Sequence, residues 1–142
     1  MDRHIELASQ FMQMRRSFPY IKFDKEVSEC SRYEIYILNY LSMHNGEAHP
    51  KELSDELIVS SARMAVLLNQ LEEKEYISRI RDEHDNRQTV IRLMEAGADF
   101  FEKSNNKALK LVAHFFDELG YEDAEEFVAL YSRLMNFISE ED

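Results

Sequence analysis

The sequence VSSARMAVLLNQLEEKEYISRIRDEHDNRQTVIRL, residues 59–93, predicts a helix followed by a β-hairpin. Ser60 is a favourable helix N-cap because its hydroxyl can accept a backbone hydrogen bond. The apolar residues after it recur at helical spacing: Met64, Leu67, Leu68 and Leu71. The runs YISRIR and QTVIRL are rich in Ile, Val, Tyr and Thr and flank the polar segment DEHDN, which indicates two strands and a turn.

A second, shorter helix is predicted immediately before this stretch. Pro50 suits a first helical position, and Leu53 and Leu57 lie one turn apart in the segment PKELSDELI. Two helices joined by a tight connection can form a helix-turn-helix, whose second helix enters the major groove of DNA. A hairpin directly after that motif makes a wing, so the middle of the chain predicts a winged helix.

The segments on either side predict further helices. Two precede the motif, RHIELASQFMQMRRSF and SRYEIYILNYLSMHNG, and two follow it, EAGADFFEKSNNKALKLVAHFFDELG and DAEEFVALYSRLMNFISEED. Only three Gly and two Pro interrupt the chain of 142 residues, which favours a mainly α protein with a small β-hairpin.

The charge of the chain is unevenly distributed. The formal net charge is -11, but residues 94–142 carry twelve acidic and four basic side chains, against nine and seven in residues 49–93. An electrostatic binding surface is a local property, so the total says little about the middle of the chain. Arg79, Arg81, Arg87 and Arg92 lie in or beside the hairpin. We therefore expect the hairpin to meet a partner more negative than the protein.

Other classes of protein are disfavoured by the sequence. A single cysteine, Cys30, cannot form an internal disulfide, and zinc-knuckle spacing is absent. The acidic start MDRHIELASQ is unlike a signal peptide, and no apolar run has the length of a membrane span, so a cytoplasmic protein without membrane contact is expected. The five histidines lack metal-ligand spacing, and no phosphate loop or nucleophile elbow occurs. We therefore predict no enzyme activity, no catalytic or metal-binding residue and no cofactor.

Several motifs resemble the MarR family of winged-helix regulators. The segments ELSDELIVSSARMAVLLNQLEEK and EYISRIRDEHDNRQTVIRL are similar to the family's helix-turn-helix and wing. The family's Asp-x-Arg wing signature is present as Asp85 and Arg87, and LMEAG retains its glycine as Gly97. The sequence departs from the family at Glu75, where a glycine is usual, at Met94 in place of Thr, and at Asn86 in place of a second wing arginine.

The resemblance implies a fold and an assembly. The expected fold is a winged helix-turn-helix flanked by N- and C-terminal dimerisation helices, within a single structural domain. Its parts are an N-terminal dimerisation helix and linker at residues 1–30, a DNA-binding region at 31–97, and C-terminal dimerisation helices at 98–142. The expected function is that of a homodimeric transcriptional regulator that binds a pseudo-palindromic operator in double-stranded DNA, as a ligand-responsive repressor.

The DNA-binding residues are predicted on the second helix and the wing. Arg63 is the first candidate to contact a base edge, most simply guanine O6 and N7. Arg87 is the first candidate to contact the minor groove or phosphates, with Asp85 pairing to hold its side chain. The remaining candidates are Lys51, Ser60, Ser61, Asn69, Gln70, Arg79 and Arg81, with Arg92 as a further phosphate contact. The alternatives are that Asp85 and Arg87 form only a surface pair and that Ser60 is only an N-cap.

Aromatic residues suggest two further features. In the family, small aromatic or anionic effectors bind between the dimerisation helices and the winged helix, which makes Phe18, Tyr20, Tyr33 and Tyr36 candidates for a ligand cleft. The alternative is that such residues are core and interface packing. A stripe on the last helix is better explained by a partner helix; its members are Phe127, Tyr131, Leu134 and Ile138.

Two other hypotheses stay open at this point. Some members of the family sense zinc or oxidants, and Cys30, His44 and His49 could gather around a metal. The net charge and Asn86 also fit a winged-helix protein that has lost DNA binding and acts as a protein-interaction module or antirepressor.

Overall fold

The computed structural model describes residues 2–17 and 30–141. Its helices and strands follow one another as α1 (Arg3–Ser17), α2 (Arg32–Met43), β1 (Glu47–Ala48), α3 (Pro50–Leu57), α4 (Ser61–Glu73), β2 (Ile77–Arg81), β3 (Thr89–Leu93), α5 (Glu95–Leu119) and α6 (Tyr121–Glu141). The predicted order of helices and hairpin is confirmed, and with it the mainly α winged-helix class. The short strand β1 was not predicted.

The helix-turn-helix consists of α3, α4 and the turn between them. Pro50 opens α3, and the Ser60 hydroxyl accepts a hydrogen bond from the Arg63 N–H at 3.1 Å, so Ser60 is the N-cap of α4. In the turn, Ile58 adopts the left-handed conformation with a φ of 54°. The next N–H, of Val59, donates to the carbonyl of Ser54 at 3.1 Å and closes the turn.

The wing belongs to a three-stranded antiparallel sheet in the order β1-β3-β2. Arg79 on β2 lies opposite Ile91 on β3, and Glu47 on β1 lies opposite Arg92. Gly46 lets the chain turn from α2 into β1: it has a φ of +78°, and its N–H donates to the Leu41 carbonyl at 2.7 Å. Leu93 also donates to the Gly46 carbonyl, so this turn is tied to the end of the wing.

The hydrophobic core lies inside the winged helix. Its buried members come from α2, α3, α4, the sheet and the segment just before α2; they are Cys30, Ile37, Leu38, Leu41, Ala48, Leu53, Met64, Leu67, Leu68, Leu71, Ile77 and Ile91. By contrast, α1, the C-terminal half of α5 and α6 expose large apolar side chains in the single chain, although Ala124 of α6 is buried. The three-part division at residues 30 and 97 stays a prediction.

A buried ion pair joins the start of α2 to the end of α4. The Lys74 ammonium lies 2.7 Å from Oε2 of Glu34, whose side chain is only 6% exposed, and 3.6 Å from Sγ of Cys30. The other oxygen of Glu34 accepts the N–H of Ser31, which is the N-cap of α2. The pair therefore links two segments forty residues apart.

The pair changes the titration of all three groups. Burial alone would raise the pKa of Glu34, but the hydrogen bonds from Lys74 and Ser31 and the Lys74 charge lower it overall. The pKa of Lys74 is raised, because its bond to Glu34 and the neighbouring negative charges outweigh its own burial. Burial raises the pKa of the Cys30 thiol to about 11, so very little reactive thiolate exists at neutral pH.

Gly97 allows the first turn of α5 to pack against the backbone that leads into the wing. A Cβ at this position would lie 2.2 Å from the Tyr76 carbonyl oxygen, closer than real Cβ contacts allow. The same carbonyl accepts the N–H of Met94 at 2.9 Å. The glycine retained from the family motif therefore has a steric reason in this chain.

Glu75 ends α4 in the left-handed conformation that the family usually gives to glycine. Its φ is 61°, its N–H donates to Glu72, and the following N–H of Tyr76 donates to Leu71 at 3.0 Å. The turn keeps the glycine-type geometry, at a cost of about 1 kcal/mol for a residue with a Cβ.

We predict that Gly97→Ala destabilises the chain by about 2–4 kcal/mol, because α5 must move away from Tyr76. Urea unfolding measures the change. Ala96→Gly, at the exposed neighbouring position, isolates helix propensity and should cost about 1 kcal/mol. Since propensity alone makes alanine the better residue, a Gly97→Ala variant as stable as the wild type would contradict the close approach.

We predict that Glu34→Gln destabilises the chain by about 1–3 kcal/mol at neutral pH, because it replaces the charged hydrogen bond between Glu34 and Lys74 with a neutral one. Since the folded-state pKa of Glu34 is lowered, the stabilisation is complete above the unfolded pKa of a glutamate and is lost as pH falls through the folded value. The free energies of unfolding of the wild type and of Glu34→Gln should therefore converge at acidic pH.

The exposed pair of Glu47 and Arg92 provides the control for this measurement. Glu47→Gln should change the free energy of unfolding by less than about 1 kcal/mol. Equal losses of unfolding free energy in Glu34→Gln and Glu47→Gln at neutral pH would show that the buried ion pair stabilises the chain no more than the exposed one.

Candidate nucleic-acid interface

One face of α4 is buried and the opposite face is open. Met64, Leu67, Leu68 and Leu71 are buried in the winged helix. At 100° per residue, the positions turned away from this stripe are Ala62, Val66, Asn69 and Glu73, and all four are exposed. The predicted contact residues Ser60, Ser61 and Gln70 are exposed as well, with Ser60 at the N-cap.

The guanidinium of Arg63 rests on an aromatic ring of a neighbouring helix. Its Cζ lies 5.0 Å from the centroid of the Tyr33 ring on α2, a cation–π contact. Such a contact is worth about 0.5–1 kcal/mol at an exposed site and restricts the long side chain. Arg63 is therefore positioned at the flank of α4 that faces α2.

Arg79 braces the wing against the other flank of α4. Its Nη2 donates to Oδ1 of Asn69 at 2.8 Å and to the Ala65 carbonyl at 3.5 Å, and its Nε lies 3.9 Å from a carboxylate oxygen of Glu72. The predicted contacts Asn69 and Arg79 are thus brought together, but they bind one another. Sequence spacing gave no indication of this pairing between a helix and a strand.

The wing tip is organised by backbone hydrogen bonds to aspartate. Oδ1 of Asp85 accepts the backbone N–H of Arg87 at 3.0 Å, and the Gln88 N–H donates to the Asp85 carbonyl at 3.0 Å. The expected pairing of Asp85 with the Arg87 guanidinium is wrong in this structure, because the carboxylate is used to shape the turn. The Asp-x-Arg signature therefore sets the backbone and leaves the arginine head exposed.

His49 fixes the base of the wing and was not among the predicted interface residues. Its Nε2 lies 3.3 Å from Oδ2 of Asp82, and its Nδ1 lies 3.2 Å from the Thr89 carbonyl. Its backbone N–H donates to the Glu52 carboxylate at the start of α3. One residue at the start of α3 thereby contacts the wing at Thr89 on β3 and at Asp82 directly after β2, and the contact with Thr89 spans forty positions of sequence.

The cations differ in how far they are neutralised by the chain itself. Arg92 donates two hydrogen bonds to Oε1 of Glu47, at 3.0 and 2.7 Å, so it is the weakest of the predicted phosphate contacts. Lys51, Arg81 and Arg87 are exposed, and within the described residues none of them lies in ion-pair distance of a carboxylate. Together with Arg63, whose guanidinium contacts only the neutral Tyr33 ring, these three are the predicted contact residues whose charge stays available to an anionic partner.

An open groove lies between α3, α4 and the wing. Lys51 and Ser54 line it from α3, Ser61 and Ala65 from α4, and Arg79 from β2. The groove brings together Lys51, Ser61 and Arg79 of the predicted DNA-contact set. Its walls combine hydroxyl and cationic groups with one carboxylate, that of Asp55, and with apolar side chains.

The predicted ligand cleft is only partly visible. Tyr33 and Tyr36 lie on α2 and are 40% and 46% exposed, which leaves both rings accessible. Phe18 and Tyr20 lie outside the described residues. Tyr33 also supports Arg63, so one of the cleft candidates touches a predicted base-contacting residue.

The hypothesis of a metal site at Cys30, His44 and His49 is wrong for this structure. Cys30 contacts Lys74, Nδ1 of His44 lies 2.7 Å from the Tyr40 carbonyl, and His49 contacts the wing. Across residues 2–17 and 30–141, no group of three or more His, Cys, Asp or Glu side chains could hold a metal ion. In the same part of the chain, no helix has the length and apolar content of a membrane span.

Comparison with known families agrees with this architecture. The family model for the transcriptional regulators SarA and Rot matches residues 20–104. The chain belongs to the SarA/Rot family of transcriptional regulators. The uncharacterized HTH-type transcriptional regulator YpoP of Bacillus subtilis is 34% identical over 135 residues, which cover 94% of this chain and 91% of YpoP. The SarA/Rot family and YpoP are transcriptional regulators and not enzymes, so the prediction of no enzyme activity is confirmed.

Solved structures of other proteins share the fold of this SarA/Rot family member. A MarR family protein from Bacillus stearothermophilus superposes with a TM-score of 0.76 at 18% identity, and 98% of each chain is covered. FabT of Streptococcus pneumoniae, crystallised in complex with DNA, superposes with a TM-score of 0.73 at 20% identity over 99% of this chain and 98% of FabT. The resemblance to MarR-type winged-helix regulators is therefore confirmed.

Proposed function

We propose that this regulator binds double-stranded DNA, with α4 in the major groove and the wing on the phosphate backbone or in the minor groove. The observation that carries the proposal is the set of unneutralised cations on these elements. Lys51 at the start of α3 and Arg81 and Arg87 on the wing are exposed and lack carboxylate partners among the described residues. Their charge favours a polyanion, whereas residues 94–142 hold most of the chain's acidity.

Arg63 has the geometry of a base reader in this proposal. Its planar guanidinium group is supported from one side by the Tyr33 ring. This contact reduces the conformational entropy that the side chain loses when it binds guanine O6 and N7. Ser60 and Ser61, at the N-terminal end of α4, lie where helix N–H groups favour phosphate.

The proposed active form is a homodimer. Half-exposed apolar residues on α6 form a continuous stripe in the single chain, and their exposed fractions lie between 46% and 53%; they are Phe127, Tyr131, Leu134 and Ile138. Residues spaced in this way lie on one helix face and are buried most simply by a partner helix. A two-fold dimer would present two α4 helices to a pseudo-palindromic operator whose half-sites are about one duplex turn apart.

The proposed outcome of binding is repression that responds to an effector. A small aromatic or anionic compound would bind beside Tyr33 and Tyr36, where the exposed rings offer stacking surfaces. Because Tyr33 also supports Arg63, such a compound would alter the recognition helix and weaken operator binding. A cytoplasmic location is part of the same proposal.

We predict that the chain binds the DNA upstream of its own gene with an affinity that falls steeply as salt rises, and that Arg87→Ala reduces the salt slope by about 1 per lost phosphate contact. Fluorescence anisotropy at several salt concentrations measures both. Lys103→Ala removes an exposed positive charge from α5 and serves as the control, with an unchanged slope expected.

Two results of the anisotropy measurement would contradict DNA binding. Absent binding, or a binding constant that does not depend on salt, would favour the alternative of a protein-interaction module or antirepressor. In that case Arg87→Ala and Lys103→Ala would have the same effect on the salt slope.

We predict that Leu134→Asp shifts the chain from dimer to monomer, because a carboxylate cannot be buried unpaired in an apolar helix interface. Sedimentation equilibrium measures the mass. Asn136→Asp is the matched control, since residue 136 is turned about 200° from residue 134 on the helix and should leave the dimer intact. Equal masses for both variants would exclude the α6 stripe as the interface.

A further inference from the structure

The outward face of α4 is apolar at its centre. Ala62 and Val66 are four residues apart and therefore lie on one helix face, opposite the buried Met64 and Leu67. Both are exposed, and Val66 is 54% exposed. A β-branched residue on an exposed helix position is not favoured by helix propensity, so neither packing among residues 2–17 and 30–141 nor local structure explains Val66.

Two of the polar side chains next to this face, Arg63 and Asn69, are held by contacts within the protein, whereas Gln70 and Glu73 are exposed. Arg63 lies on Tyr33 at one flank, and Asn69 accepts a hydrogen bond from Arg79 at the other. An asparagine recognises adenine through its oxygen and its amide nitrogen together, as acceptor and donor. Because Oδ1 of Asn69 is already bonded to Arg79, that two-point contact is not available in this arrangement.

The apolar feature that DNA presents in the major groove is the 5-methyl group of thymine. Alanine and other small apolar side chains contact it, and neither cytosine nor guanine offers an equivalent. Arg63 beside this face, Lys51 on α3 and Arg81 and Arg87 on the wing are exposed and have no carboxylate partner among the described residues. Their charge favours DNA over another protein as the partner of the apolar face.

We propose that Ala62 and Val66 read thymine methyl groups, so that each operator half-site carries a thymine under the centre of α4. This inference rests on the proposed DNA-binding function and adds the determinant of its sequence preference. Val66 is the specificity residue with the larger contact, and Ala62 allows the helix to approach the base edges closely. Arg63 remains the reader of a neighbouring base pair.

Uracil substitution tests the inference, because deoxyuridine removes only the 5-methyl group and keeps every hydrogen-bonding atom of thymine. The probe is a duplex enriched from a random-sequence library by the purified wild-type chain, with each thymine replaced by uracil in turn. One thymine in each half-site should show a loss of affinity of about fourfold per methyl, the effect of removing one buried methyl or methylene group.

Two substitutions at one position show whether Val66 makes the contact. Val66→Ala should abolish the uracil penalty at that thymine, whereas Val66→Ile, which keeps an apolar branched side chain, should retain it. Both variants lie on an exposed helix face, and urea unfolding verifies that each is folded. Comparing the variants on the same uracil duplexes also cancels any effect of uracil on DNA stiffness.

The outcomes separate this inference from the function on which it rests. Salt-dependent DNA binding without a uracil penalty, or with the same penalty in Val66→Ala as in the wild type, overturns methyl recognition and leaves DNA binding in place. Absence of salt-dependent binding to any duplex overturns the proposed function itself. A penalty at one thymine per half-site that disappears only in Val66→Ala supports the inference.

Discussion

The burial of one apolar stripe on α4 determines how the rest of the molecule is arranged. Met64, Leu67, Leu68 and Leu71 lie in the core of the winged helix. Because the stripe fixes the rotation of the helix about its axis, it also decides which side chains are turned outward. The same burial holds α2, α3 and the sheet around one helix, so the proposed recognition surface and the core are two sides of a single element.

Contacts at the ends of α4 complete this positioning. At the C-terminal end, Lys74 binds the buried carboxylate of Glu34, and the close approach of Gly97 to Tyr76 brings α5 against the following residues. On its flank, α4 receives the wing through Arg79. A helix held at its face, its flank and its end presents its outer surface in a defined geometry, which is a requirement for reading bases.

An acidic regulator can approach DNA because its charges are separated along the sequence. The wing and the start of α3 offer cations without a carboxylate partner among the described residues, whereas residues 94–142, with four basic and twelve acidic side chains, carry -8 of the net charge of -11. The exposed pair of Glu47 and Arg92 shows the opposite arrangement within the same sheet. At physiological salt the Debye length is about 8 Å, so distant carboxylates are largely screened from a bound phosphate.

Local patterns in the sequence predicted the fold, and long-range side-chain pairs escaped prediction. The Ser60 cap and the apolar stripe of α4 depend on neighbours within one or two turns. The contacts of His49 with Asp82 and of Arg79 with Asn69 join residues on different elements, and their geometry depends on tertiary packing. Strand β1 has only two residues, too few for a period to be recognised. The sequence therefore predicted which residues belong to the candidate site, but it did not predict the hydrogen bonds and ion pairs among them.

Ile58 and Glu75 occupy left-handed backbone positions at the two ends of α4, with φ of 54° and 61°. Ile58 is β-branched and 91% exposed, so no burial compensates for its conformation. The chain has therefore not reached its thermodynamic optimum around its most important helix. Selection acts on a threshold of stability rather than on its maximum, and glycine at either position would recover about 1 kcal/mol, which could compensate for a destabilising change on the proposed DNA-binding surface.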